Sequence, residues 1–159
     1  MKQRVVSLSD FGPAENMSLI EADIPTPGNG QIVVKNNAIG LNYLDTYFRS
    51  GLYPWPNNND IKIPGSEGVG YIHAVGSDVL DFKEGDRVSY VTPVGAYAEY
   101  AIINAAHAAK INVEVEDHDV VACTLKGLTT HYLLHLTTKV TSGMTTLVHA
   151  AAGGVGQLM

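Results

Sequence analysis

The chain has 159 residues, 45% hydrophobic and 16% charged. That is enough for one ordinary domain with a real core, but below the usual charged fraction of about 25%, which points to a shared core or a surface normally covered. A net charge of −6 without a basic cluster argues against a nucleic-acid partner, and the single cysteine, Cys123, excludes an internal disulfide and a cysteine-rich metal cluster. No signal-like apolar region opens the chain, and no apolar run approaches the roughly 20 residues that span a bilayer, so no membrane association is expected and a cytoplasmic setting is.

The first hundred residues read as β-rich. Arg4 to Leu8 and Met17 to Ala22 are expected strands, separated by the turn Asp10-Phe11-Gly12-Pro13. Pro25, Pro27, Gly28 and Gly30 punctuate the chain before a strand from Gln31 to Ile39. Asn42 to Ser50 changes period to a short helix, with Asn42 and Asp45 in capping-box spacing and Gly51 placed to end it. A Pro- and Asn-rich loop follows, Tyr53 to Asp60, suited to a surface excursion or the rim of a site. Strands are expected again at Gly68 to Val75, Arg87 to Val91 and Gly95 to Ile103, and their regular spacing suggests a barrel-like β domain.

Beyond about residue 115 the pattern is helical. Leu125, Leu128, Tyr132 and Leu136 recur at helical spacing and read as the core-covering stripe of an amphipathic helix. Cys123 reads as a small core residue. An apolar strand, Thr146 to Ala150, then runs straight into Ala151-Ala152-Gly153-Gly154-Val155-Gly156. That run has the form of the dinucleotide fingerprint G-x-G-x-x-G with alanine in the first glycine position. The second glycine of such a turn lets the backbone approach a pyrophosphate, and the third allows close helix–strand packing. A glycine turn alone is common, so a glycine loop closing a self-contained β domain is the plainer alternative. Only Gln157, Leu158 and Met159 follow, and the sequence is therefore expected to be the front part of a longer two-domain enzyme.

Six segments together carry a resemblance across essentially the whole chain and in consistent order. They are Gly40-Leu41-Asn42-Tyr43-Leu44-Asp45-Thr46-Tyr47-Phe48-Arg49-Ser50-Gly51-Leu52-Tyr53, Pro64-Gly65-Ser66-Glu67-Gly68, Gly85-Asp86-Arg87-Val88, Gly95-Ala96-Tyr97-Ala98-Glu99-Tyr100, Lys126-Gly127-Leu128-Thr129-Thr130 and His149 to Gly156. With them the sequence resembles the zinc-free, zeta-crystallin-like quinone oxidoreductases of the medium-chain dehydrogenase/reductase family. The resemblance implies a mainly β fold with helices. It implies a GroES-like catalytic barrel over residues 1–123 and the start of an NAD(P)-binding Rossmann domain over 124–159, with only the first strand and glycine turn of that α/β domain. It further implies NADPH and a quinone in the cleft between the domains, a homodimeric full-length protein, and a fragment that exposes apolar surface and is inactive alone.

In zinc-dependent relatives the metal is held by cysteine, histidine or acidic donors. The positions that correspond here are Asn42, Ser66 and Lys126, none of which can substitute, so no zinc is expected. His131 and His135 stand i, i+4 on the helix, but the glutamate of a zincin motif is replaced by Tyr132, and both read as ordinary boundary histidines. Without zinc to polarise a carbonyl, an acceptor that is already reactive, such as a quinone or activated alkene, is favoured over an alcohol. The resemblance places Asn42, Asp45, Tyr47, Arg49 and Tyr53 in the cleft as catalytic candidates. Against that, Asn42 and Asp45 could serve only as helix caps, Tyr47 as packing and Tyr53 as a loop anchor. Cofactor contacts are expected from Asn42, Tyr47, Lys126, Thr129 and Tyr132, and from the backbone of Gly153, Gly154, Val155 and Gly156. Lys126 could meet a phosphate or the substrate. An NADPH-dependent enoyl reductase of the same superfamily and a non-catalytic binding or structural domain are the competing expectations.

Overall fold

A computed structural model describes residues 1–159. Two antiparallel sheets carry the architecture. Strands β1 (Lys2–Leu8) and β2 (Met17–Asp23) form a ribbon, in register from Lys2 opposite Asp23 to Leu8 opposite Met17. Strands β3 (Gln31–Gly40), β4 (Glu67–Val75), β5 (Arg87–Val91), β6 (Tyr100–Asn104) and β7 (Ala108–Lys110) form the second sheet, in the order β6-β3-β4-β5-β7. Bridges from Val5 to Ala98 and from Leu8 to Lys62 tie the ribbon to the segments that lead into β6 and β4.

The period-two pattern sets the core. Val88 and Tyr90 of β5 and Ala101 and Ile103 of β6 turn inward, joining Ile32 and Val34 of β3 and Ile72 of β4. Ile32, Val33 and Val34 are all fully buried, because β3 is flanked by strands on both sides and covered on both faces. Its register against β4 shifts between Val33 and Val34 and again between Asn36 and Ala38. Such bulges bend a strand and re-aim its side chains, and here they lie on the approach to Gly40, the last residue before the site.

Helix α1 (Tyr43–Ser50) follows β3 closely, and helix α2 (Asp117–His131) packs on β3, β4 and β5. One turn of π-helix, Tyr132–Thr137, continues α2. No helix is long and apolar enough to cross a membrane.

Four expectations need correction. The strand expected from Gly95 begins only at Tyr100, because Gly95 adopts φ 106° and the backbone of Gly95 and Tyr97 bonds to Pro64 in a turn. β7 was missed, three residues being too short to show a period. The apolar stripe of α2 does not cover a core: Leu128 is 54% exposed and Leu136 68%, Cys123 is exposed, and the buried helix residues are Val121 and Thr130. Finally, residues 146–150 form no strand, and Leu147 is 84% exposed. A parallel strand needs flanking strands and helices to satisfy its backbone and cover its faces, and residues 1–159 provide none there.

Candidate functional site

The site is built where β3 ends, α1 begins and β4 starts. Asn42 is the extended residue ahead of α1, with φ −129° and ψ 151°, and its N–H donates to Asp45 Oδ2 at 2.9 Å. Gly51, with φ 78°, closes the helix in the left-handed region that glycine adopts without strain. Between these two ends α1 buries Asp45 and Phe48 and leaves Tyr43 exposed.

Asp45 lies beneath the helix. Ser66 Oγ donates to its Oδ1 at 2.6 Å and Tyr97 OH to its Oδ2 at 2.8 Å. Burial first, and then the bond to Asp45, push the Tyr97 phenol well above its ordinary value of 10.0, so it stays protonated and donates. With three donors on a 5%-exposed carboxylate, Asp45 anchors α1 to the sheet and is not open to a substrate.

A second carboxylate, Glu67, begins β4 and is fully buried. It accepts from Asn42 Nδ2 at 2.7 Å, from Lys126 Nζ at 3.1 Å and from the backbone N–H of Leu125 at 2.7 Å. Lys126 Nζ also donates to Asn42 Oδ1 at 3.0 Å. Asn42, Glu67 and Lys126 therefore form a closed ring of hydrogen bonds that ties the start of α1, the first residue of β4 and the middle of α2 together. A buried carboxylate requires such a counter-ion and full bonding. Gly40 makes room for it, since a Cβ there would stand 2.2 Å from Glu67 Oε1 and 2.4 Å from its Cγ.

Around this ring the other expected residues are placed as follows. Tyr47 lies against Tyr53 with ring centres 5.3 Å apart, and Tyr43 meets Tyr47 edge-on at 5.6 Å. Arg49 Nε donates to Gly12 O at 3.1 Å, which fastens α1 to the loop before β2. Thr129 Oγ1 donates to Leu125 O one turn back, and Tyr132 is half-exposed. The glycine turn lies next to α2: Thr130 Oγ1 donates to Val155 O at 3.4 Å, and a Cβ on Gly154 would come within 2.7 Å of Lys126 Cδ. One on Gly156 would come within 2.6 Å of Ala150 O and of Ala151 Cα, so the backbone there requires glycine, whereas at Gly154 the obstacle is the flexible Lys126 side chain. His131 and His135 lie beside each other at 4.9 Å, and no third histidine, cysteine or carboxylate joins them.

The structure thus joins Asn42 to Lys126, puts Asp45 below them, and sets the glycine turn beside Lys126. Two participants had no assigned role in the sequence, Glu67 and Tyr97. A glutamate at the head of the otherwise uncharged strand Glu67-Gly68-Val69-Gly70 was the available signal, since a carboxylate in such a run must find partners. A cavity of about 720 Å³ elsewhere, near Pro56, Pro93 and His107, includes none of these residues and is not the site.

Residues 28–113 match the alcohol dehydrogenase GroES-like domain. A probable quinone oxidoreductase of Schizosaccharomyces pombe is 42% identical over 160 residues, covering 100% of this chain and 48% of that protein. Among solved structures, the quinone oxidoreductase of Pseudomonas syringae pv. Tomato DC3000 superposes with a TM-score of 0.93 at 45% identity, covering 99% of this chain and 48% of that one. Escherichia coli quinone oxidoreductase, solved in complex with NADPH, superposes with a TM-score of 0.86 at 36% identity, covering 98% and 47%. The chain spans about half the length of the relatives it matches.

Proposed function

We propose that this chain, which belongs to the medium-chain dehydrogenase/reductase family and carries its alcohol dehydrogenase GroES-like domain, is the catalytic-domain part of an NADPH-dependent quinone oxidoreductase. The observation that carries this reading is the meeting of Lys126 with both halves of such a site. Its ammonium belongs to the barrel ring with Asn42 and Glu67, and its stem touches the glycine turn at Gly154. Residues 1–123 form the catalytic unit in this reading and 124–159 the start of the cofactor domain, with α2 running through the junction.

The residues present fit the near side of a dinucleotide. Gly153, Gly154, Val155 and Gly156 would present backbone to the pyrophosphate, Thr129 would bond the nicotinamide carboxamide, and Tyr132 would pack on the cofactor. Bound NADPH supplies a hydride, and the protein supplies orientation and electrostatics. Asn42, Tyr47 and Tyr53 would line the acceptor site, while Asp45 and Arg49 hold the helix that presents them. The donor chemistry supports a reaction without zinc: Asn42 Oδ1 and both Glu67 oxygens already accept from partners in the ring and from Leu125 N–H, and an ammonium beside them repels a cation. The longer protein would be a homodimer acting on a small-molecule quinone.

The test is NADPH oxidation with 1,4-benzoquinone, run on the 159-residue chain and on the protein of relatives' length that contains it. Turnover only by the longer protein is the expected result. Turnover by the short chain would overturn the placement of the cofactor site. Reduction of a 2-enoyl substrate with no quinone activity would replace the reading with an enoyl reductase, and NADPH binding without turnover on either acceptor would point to a binding domain.

A further inference from the structure

We propose that Lys126 acts on the substrate, its ammonium donating to the oxygen that gains negative charge as a quinone is reduced, with Glu67 and Asn42 as the positioning residues that hold it there. The inference rests on the functional reading above and narrows it, because Lys126 could otherwise serve a cofactor phosphate.

Three observations place the ammonium. A lysine head has three N–H donors. Two are used, on Asn42 Oδ1 and Glu67 Oε1, and the third has no partner within the chain. The lysine side chain is 24% exposed and Asn42 is half-buried, whereas Glu67 is fully closed off, so the ring opens to a ligand along its Lys126–Asn42 edge. The glycine turn lies against the methylene stem, since a Cβ added at Gly154 would stand 2.7 Å from Cδ and 3.0 Å from Cε, while the charge is committed to the barrel. A lysine that serves a phosphate at that turn would carry its head there. This one carries its head to Glu67.

The same geometry fixes Asn42. Its Oδ1 faces the ammonium and its Nδ2 faces the carboxylate, so the amide has one orientation that satisfies both. A rigid donor of this kind needs no reorganisation when charge develops in front of it. The balance is simple. Bound NADPH would supply the hydride and be left as NADP⁺, the quinone that takes it would carry one negative charge on oxygen, and a solvent proton would complete the hydroquinone. Lys126 stays an ammonium throughout and holds the oxyanion.

Replacing Lys126 alone would strand the buried Glu67 charge, so the test variant removes both charges, E67Q/K126M. Its melting curve reports folding, and K126R serves as the charge-retaining companion. Kinetics and binding are measured in the longer protein. E67Q/K126M is expected to lower kcat with 1,4-benzoquinone about 100-fold, the usual cost of one lost oxyanion donor, while Kd for NADPH changes less than about threefold. Binding of 4-nitrophenolate, an oxyanion mimic that does not react, is expected to weaken about tenfold or more, with neutral 4-nitroanisole unaffected. K126R is expected to keep 4-nitrophenolate binding and most of kcat. An NADPH Kd weakened about tenfold or more with kcat preserved would assign Lys126 to a phosphate and overturn the proposal. Unchanged kcat and unchanged nitrophenolate binding would also overturn it, leaving the ring a structural clasp. If the wild-type protein reduces no quinone but its nitrophenolate binding depends on Lys126, the oxyanion site stands and the quinone reading falls.

Discussion

The Asp45 carboxyl lies among neutral donors, the Tyr97 and Ser66 hydroxyls and the Asn42 N–H, whereas Glu67 faces the Lys126 ammonium. The first arrangement anchors a helix, and the second holds a partly exposed cation where α1, β4 and α2 meet. The anchoring role can be checked at Tyr97. Its phenol is protonated and donates to a nearly buried carboxylate, a class of bond with a net contribution of about 1.5–3 kcal/mol. Tyr97→Phe is expected to lower unfolding free energy by roughly that amount in urea titration, with the slope against denaturant unchanged. A change under about 0.5 kcal/mol would mean that Ser66 and the Asn42 N–H suffice for Asp45. Spacing in the sequence showed the link from Asn42 to Asp45, because capping is local. It could not show Glu67 to Lys126, or Tyr97 to Asp45, since these partners meet only after β4, α1 and α2 have packed.

At the scale of elements, the start of α2 depends on a clamp from the barrel. Arg87 of β5 donates through Nε and Nη2 to Asp117 Oδ1, and through Nη1 and Nη2 to the carbonyls of Val113 and Val115. Asn37 of β3 donates to Asp117 Oδ2 at 2.7 Å. The Asn37 bond first, and then Arg87, hold the Asp117 carboxyl below its ordinary value of 3.8. A lowered folded-state value means the contribution is fully present above 3.8 and is lost as pH falls through the lower folded value. Asp117→Asn is therefore expected to be less stable than the wild type by about 1 kcal/mol at pH 7. That gap should close as pH drops below 3.8. Melting curves of both proteins from pH 7 to pH 2.5 would show it, and a gap independent of pH would remove the charge from the account. None of this clamp was legible beforehand. Arg87 reads as the start of a strand and as part of a family segment, and nothing in the spacing ties it to Asp117, although α1, β1 to β5 and the helical character of α2 followed directly from period, caps and glycine turns.

Over the whole molecule, order falls off along the chain. Residues 1–137 contain every strand and helix that packs on the sheets, while 138–159 hold only a short 3₁₀ turn at Gly156–Leu158. The hydrogen bonds of that last stretch are mostly local, such as Gly153 N–H to Ala150 O and Gln157 N–H to Gly153 O. Its side-chain tie to α2 is the 3.4 Å bond from Thr130 to Val155. The low charged fraction noted in the sequence has its counterpart here, in the exposed Leu128, Leu136 and Leu147. The strand expected at 146–150 failed for the same reason. Its apolar residues describe a partner surface that periodicity can suggest but residues 1–159 do not supply. Segments with few buried contacts open at low free-energy cost and are cut first by proteases. Lys139 is exposed and stands just beyond the π-helical turn. Brief trypsin treatment of the 159-residue chain is thus expected to cut after Lys139 before any site in β1 to β7, leaving a 1–139 product that melts within a few degrees of the intact chain. Mass spectrometry of the early digest and a melt of the product would check both points. An early cut within the sheets, or a large loss of stability once 140–159 is removed, would show that the glycine turn already contributes substantially to holding the barrel and α2 together.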